Sequence, residues 1–177
     1  YYDAYGHSMV RTFLKSPVKY GYVSSKYNKD RLHPVLNEVR PHYGTDYAAP
    51  LGTPIFAVSD GKIIKAEEKG GNGLYVKILH DQKIETQYLH MSALQQGIRP
   101  NVFVRQGEVI GYVGESGLAS GPHVCFRFWK NGQQVDHLKE NLDAPAKPLN
   151  MQEENKFYSM RDSLKPLLEK AGYPDMR

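Results

Sequence analysis

The chain has a single cysteine, so an internal disulfide is impossible and its fold must be held by packing alone. No apolar run approaches the ~20 residues of a membrane-spanning helix, which excludes such a span within these residues. Runs of consecutive Lys or Arg are also missing, because the 23 basic and 19 acidic residues are spread along the chain. The formal net charge of +4 therefore suits an anionic polymer surface but supplies no nucleic-acid arm, and no nucleic-acid partner is expected. The sequence begins Tyr1-Tyr2-Asp3, with neither Met nor a signal peptide, and is read as a processed or trimmed fragment whose localisation signals are missing.

What is present fits one domain with decorations, expected to be monomeric: 177 residues, 40% of them apolar and 24% charged, as in a soluble globular chain rather than a disordered one. From Tyr20 to about Trp129, short β-prone runs alternate with Gly, Pro, Asn and Asp. Thr53 to Val58, Gly61 to Ala66, Leu74 to Leu79, Ile84 to Leu89, Val109 to Val113 and His123 to Trp129 read as strands. No helical period of useful length interrupts them, so the core is expected to be mainly β and antiparallel. Ser59-Asp60-Gly61 and Lys69 to Gly73 read as hairpin turns, and Gly114 to Gly121 as a flexible loop leading into the His123 strand.

Three regions follow from this pattern. Residues 1–19 form an N-terminal flank, with Ser8 to Leu14 as a strand or helical turn docking on the core. Residues 20–142 form the β domain. Residues 143–177 comprise a Pro-rich stretch and a helix whose Phe157, Met160, Leu164, Leu167 and Leu168 make an apolar docking stripe, interrupted or restarted near Pro166.

Within the β domain, alternate side chains of a strand share a face, so His123, Cys125, Arg127 and Trp129 point one way and Val124, Phe126 and Phe128 the other. The apolar set is the core face. The other set faces a groove or solvent, where ligands and catalysts belong. His42 and Asp46 add an imidazole and a carboxylate, a common pair for zinc, and His90 adds a third segment.

Taken in order, Ser24 to Tyr27, Arg31 to Pro34, His42 to Pro50, Gly52-Thr-Pro54, Gly70 to Gly73, Tyr88-Leu-His90 and Gly121-Pro-His123 resemble the M23 family of zinc endopeptidases, the lysostaphin-type enzymes that cut peptidoglycan cross-links. The flanks are similar to those of its periplasmic, elongation-type members. The resemblance implies a lysostaphin-like antiparallel β core, zinc bound by His42, Asp46 and the residue at 125, and His90 and His123 as catalytic residues beside the metal. It also implies peptide stems of peptidoglycan as substrate, direct stem-to-stem cross-links in preference to glycine bridges, and a periplasmic or cell-envelope location. Position 125 departs from the pattern, with Cys where the second His of the motif is expected, and Arg127 replaces a frequent acidic residue.

A thiolate remains a good zinc ligand. It changes the charge: with His, Asp and His the zinc keeps a formal +1, whereas His, Asp and Cys bring it to zero and make it a poorer Lewis acid. Reduced activity is therefore expected. Two other roles remain open for Cys125, as a small buried residue or as the nucleophile of a thiol peptidase. A degenerate module that binds peptidoglycan or a partner hydrolase without cutting is the non-enzymatic alternative. The hairpin around Val104 to Val113 resembles lipoyl or biotinyl carrier domains but carries no Lys at a tight exposed turn. Tyr43, Tyr47, Tyr75 and Tyr88 are expected to line a substrate groove, with His33 at its edge.

Overall fold

A computed structural model describes residues 13–30, 39, 41–80, 83–140, 142 and 151–171. The chain divides into two compact units, one running from Phe13 to Leu142 and the other including the C-terminal helix. Among the described residues the first unit is β apart from two single 3-10 turns, Gly70–Asn72 and His137–Lys139. Its strands are β1 (Tyr22–Ser25), β2 (Thr45–Ala48), β3 (Pro54–Phe56), β4 (Gly61–Glu68), β5 (Leu74–Leu79), β6 (Ile84–Leu94), β7 (Phe103–Val104), β8 (Val109–Val113), β9 (His123–Lys130) and β10 (Gln133–Val135).

Every pairing is antiparallel, and the main path runs β1-β2-β9-β6-β5-β4-β7. β10 lies against β9, while β8 joins β3 to β6. The expected antiparallel β core is therefore found. The Lys69 to Gly73 turn joins β4 to β5 as a hairpin. Ser59-Asp60-Gly61 does not: β3 pairs with β8, so this turn passes between strands that are not neighbours. Turn composition marks a reversal of the chain and says nothing about which strands it brings together.

The core lies on one side of the central strands. Val124, Phe126 and Phe128 of β9 enter it with Tyr88 of β6 and Ile78 of β5, all at most 2% exposed. Each such side chain contributes about 1.5–3 kcal/mol of burial. The flank supplies Phe13, which meets Phe128 edge-on at 5.6 Å and His80 at 5.2 Å, and Leu14 N–H bonds Val58 O at 2.7 Å. Residues 1–12, including the rest of the expected docking segment, lie outside the described residues.

In the second unit, α1 (Met151–Lys170) runs unbroken through Pro166, contrary to the expected interruption. The missing proline N–H leaves the carbonyl of exposed Asp162 without its helical donor, and water can replace that bond. Met160, Leu164 and Leu167 are exposed. No described helix is long and apolar enough to cross a membrane.

Candidate metal centre

Strand pairing assembles the centre. β2 lies antiparallel to β9 with Asp46 directly opposite Cys125, and β6 flanks β9 on the other side with Leu89 opposite Cys125. His42 precedes β2 and is anchored through its backbone to Asn28, by bonds of 2.9 and 2.7 Å. Gly44 lets the two segments close up: a Cβ there would stand 2.8 Å from Cys125 Sγ and 3.0 Å from both Arg127 Cγ and Phe126 O. Only a residue without a side chain fits that gap.

The ligand atoms of His42, Asp46 and Cys125 all lie within 4.8 Å of one another, and all three residues are buried. His42 Nε2 is 2.9 Å from Asp46 Oδ1 and 3.4 Å from Cys125 Sγ. His123 Nε2 is 3.8 Å from the same carboxylate oxygen. Each imidazole turns its other nitrogen to a backbone carbonyl: His42 Nδ1 to Lys26 O at 3.1 Å, His90 Nδ1 to Ser116 O at 2.8 Å, His123 Nδ1 to Gly121 O at 2.8 Å. A carbonyl only accepts, so Nδ1 carries a proton in all three, and Nε2 is left to offer a lone pair to a metal or, without one, to carry a second proton.

That arrangement tests the fit of a metal. A carboxylate oxygen, an imidazole lone pair and a sulfur crowd one small volume, and a shared cation is what makes such crowding favourable. The donor set of one N, one O and one S suits zinc.

A bulge delivers His90. Val76 of β5 faces Tyr88 of β6, yet Leu74 faces Met91, so β6 takes three steps where β5 takes two. The surplus falls at Leu89 and His90, and His90 has φ 64, a left-handed conformation rare for a residue with a side chain. Strict alternation would put His90 with Tyr88 in the core. The bulge turns it to the metal face instead, with its ring 4.8 Å from that of His123. Just there β6 changes partner, leaving β9 after Leu89 and joining β8 from Met91.

Ser116 holds this bend. Its hydroxyl donates to Met91 O at 2.8 Å and accepts from Leu74 N–H at 2.9 Å, while its carbonyl takes the His90 proton. The Gly70 to Gly73 turn packs so tightly on this loop that a Cβ at Gly73 would collide with Ser116, and one at Gly117 with Gly73. Both glycines have positive φ.

Burial dominates the electrostatics. It pulls His90 down to about 4, against the raising effect of its bond to Ser116, so the ring is neutral at pH 7. Burial pushes the Cys125 thiol up to about 12, helped by the Asp46 charge and opposed by Arg127. A buried mid-strand thiol held protonated lacks both the exposure and the lowered pKa of a nucleophile, which argues against the thiol-peptidase reading. At Asp46 burial pushes up, but the hydrogen bond and charge of His42 outweigh it and keep the carboxyl below its ordinary value.

The structure thus brings His42, Asp46, His90, His123 and Cys125 together. The tyrosines divide. Tyr43 is exposed beside His42 and 5.8 Å from Tyr27, whereas Tyr75 is only 2% exposed, packed with Leu89 and Cys125 with its hydroxyl donating to Glu67 at 2.5 Å, and does not line an open groove as expected. Tyr88 is a correction: it is 0% exposed in the core, accepting from Val58 N–H and Thr86, and cannot line a groove. Tyr47 is likewise buried, at 2.8 Å from His137. His33 lies outside the described residues. Sequence reasoning missed Ser116, whose signal is its place between glycines of two facing turns, and His137, buried beneath β2 against Phe126.

Residues 40–137 match the model for peptidase family M23. The peptidoglycan DD-endopeptidase ShyC of Vibrio cholerae serotype O1 is 42% identical over 132 residues, covering 75% of this chain and 30% of that protein. A zinc-containing peptidase from Vibrio cholerae of known crystal structure is 34% identical with a TM-score of 0.69, over 75% of this chain and 41% of that one. The catalytic domain of lysostaphin from Staphylococcus simulans is 25% identical with a TM-score of 0.58, over 67% and 90%. The chain spans only 30%, 37% and 39% of the length of three Vibrio cholerae relatives.

Proposed function

The chain belongs to peptidase family M23, and from that premise we propose that it is the catalytic part of a zinc endopeptidase hydrolysing the peptide cross-links of bacterial peptidoglycan. The observation that carries this is the convergence of the His42, Asp46 and Cys125 ligand atoms within 4.8 Å beside the paired rings of His90 and His123. His42, Asp46 and Cys125 would hold the ion. Zinc, when bound, supplies a Lewis acid and an activated water.

The remaining chemistry belongs to the two imidazoles. With Nδ1 committed to Ser116 and Gly121, His90 and His123 present Nε2 to a bound peptide in fixed orientation. His90, neutral at pH 7, presents Nε2 as a hydrogen-bond acceptor, the role that orienting the attacking group requires. His123, beside the Asp46 carboxylate, is suited in its imidazolium form, with Nε2 carrying a proton, to stabilise the oxyanion and protonate the leaving amine.

Peptidoglycan stems as substrate are supported by the activity named for ShyC, and a periplasmic or cell-envelope location goes with that substrate. In this reading residues 20–142 form the peptidase domain, Tyr43 and His33 contact the substrate, and the protein acts as a monomer. Cys125 lowers the formal charge of the centre, so activity at neutral pH stays below that of a histidine version.

Two measurements test the proposal. Purified protein is expected to contain zinc and to digest cross-linked muropeptides unless a chelator is present; no metal and no digestion would favour a binding module. At equal zinc content Cys125→His is expected to hydrolyse faster, and an equal or slower variant would overturn the charge argument.

A further inference from the structure

One polar atom on the metal face has no role in the chemistry above. Arg127 Nε is buried without a hydrogen-bond partner among the described residues. Arg127 stands two residues along β9 from Cys125, so the two side chains leave the same face. The gap at Gly44 shows how near they are, since Cys125 Sγ and Arg127 Cγ both lie within 3.0 Å of the point a Cβ would occupy. Directly opposite Arg127 on β6 stands buried Gln87, which is polar but carries no charge.

A buried guanidinium N–H without an acceptor is unfavourable, and a neutral thiol accepts only weakly. A thiolate accepts well, and a charge-assisted bond to it is stronger still. We propose that Arg127 is a positioning residue for a metal-bound Cys125, donating to the thiolate sulfur and offsetting part of the charge that the thiolate removes from the zinc. The inference rests on the reading of Cys125 as a ligand.

Charge arithmetic explains why arginine belongs there. A centre of Zn2+, Asp and Cys with a neutral His is formally zero, and an adjacent guanidinium, which is not itself a ligand, offsets part of that loss while leaving the metal a poorer Lewis acid than a second histidine would. Donation to the sulfur also draws electron density from it, which leaves the metal a better Lewis acid. The acidic residue implied at this position by resemblance would act in the opposite sense, so Cys125 and Arg127 make sense as a coupled pair.

The test uses the cobalt-substituted and zinc proteins, with Arg127→Gln, Arg127→Lys, Cys125→His and the Cys125→His/Arg127→Gln double variant. Wild type is expected to show a sulfur-to-cobalt charge-transfer band, because Cys125 ligates. In Arg127→Gln the band moves to lower energy, as the sulfur lone pairs lose their stabilising donor, and zinc affinity in chelator competition falls roughly 10- to 100-fold, the range for losing a partner of a metal ligand. Arg127→Lys, which keeps the charge, holds the band nearer to wild type and is a second route should the glutamine variant fail to fold. In the Cys125→His background, removing Arg127 changes affinity less than about threefold. An unmoved band, or equal losses in both backgrounds, overturns the inference and leaves the Cys125 reading intact. A wild-type protein with no sulfur band overturns both.

Discussion

Ser116→Ala removes one oxygen and tests how the bend at His90 is held. The hydroxyl donates to Met91 O at 2.8 Å and accepts from Leu74 N–H at 2.9 Å, so the variant strands an acceptor on β6 and a donor at the start of β5. That costs about 1–3 kcal/mol, or roughly 2–4 °C of Tm for each kcal/mol in a chain of this size. The kinetic effect is separate. The Ser116 carbonyl fixes the His90 tautomer at 2.8 Å, and the hydroxyl fixes the carbonyl; without it the ring samples orientations in which Nε2 does not face the peptide. We expect kcat on cross-linked muropeptides to fall about tenfold, about 1.4 kcal/mol, short of the 10²–10⁴ for losing a general base altogether. KM and zinc content stay within twofold, and Ser116→Thr restores most of kcat. The ring 15N shifts of His90, which report Nδ1 protonation in wild type, broaden or average in the alanine variant. A lower Tm with unchanged kcat and unchanged ring shifts would refute the reasoning and leave Ser116 a purely structural residue.

Other perturbations separate the site from its scaffold. Gly44→Ala drives a methyl to 2.8 Å from Cys125 Sγ, so stability is expected to fall by about 1–3 kcal/mol and zinc affinity with it; unchanged affinity in chelator competition contradicts the close approach. Tyr88→Phe leaves the buried Val58 N–H without its acceptor, and Tm should drop while kcat/KM holds within twofold; a large loss of turnover at normal Tm would return Tyr88 to the groove. His137 is held at about 4 instead of 6.5 by burial, so the unfolded chain takes up a proton that the folded one refuses. Its contribution, on the order of 3 kcal/mol, is complete above pH ~6.5 and lost as pH falls toward 4. Urea unfolding at pH 7 and pH 4.5 should show a smaller difference in His137→Gln than in wild type, and equal differences would contradict this.

How much of this was legible in the sequence depended on whether a period of two was kept. Along β9 it is unbroken, and Val124, Phe126 and Phe128 enter the core while Cys125 meets Asp46, as alternation predicts. Along β6 the period breaks at His90, and nothing in Tyr88-Leu-His90 announces it: the positive φ falls on a histidine rather than a glycine. Alternation would keep Tyr88 on the face of His90, and the bulge is what separates the two. Ser116 looked like part of a connecting loop because its partners, Leu74 and Met91, are 42 and 25 residues away in sequence. His137 gave no signal, since its burial depends on β2 and β9 closing over it. Pro166 was read as a helix break, but on a solvent-exposed turn its missing donor is cheaply replaced by water.

The central claim is that His42, Asp46 and Cys125 bind the metal together, and zinc-edge X-ray absorption of the purified protein tests it most directly. The expected spectrum has one sulfur scatterer at about 2.3 Å and the remaining ligands N or O at about 2.0–2.2 Å, with the sulfur shell lost in Cys125→Ser. A first shell of nitrogen and oxygen alone in the wild-type protein would contradict it.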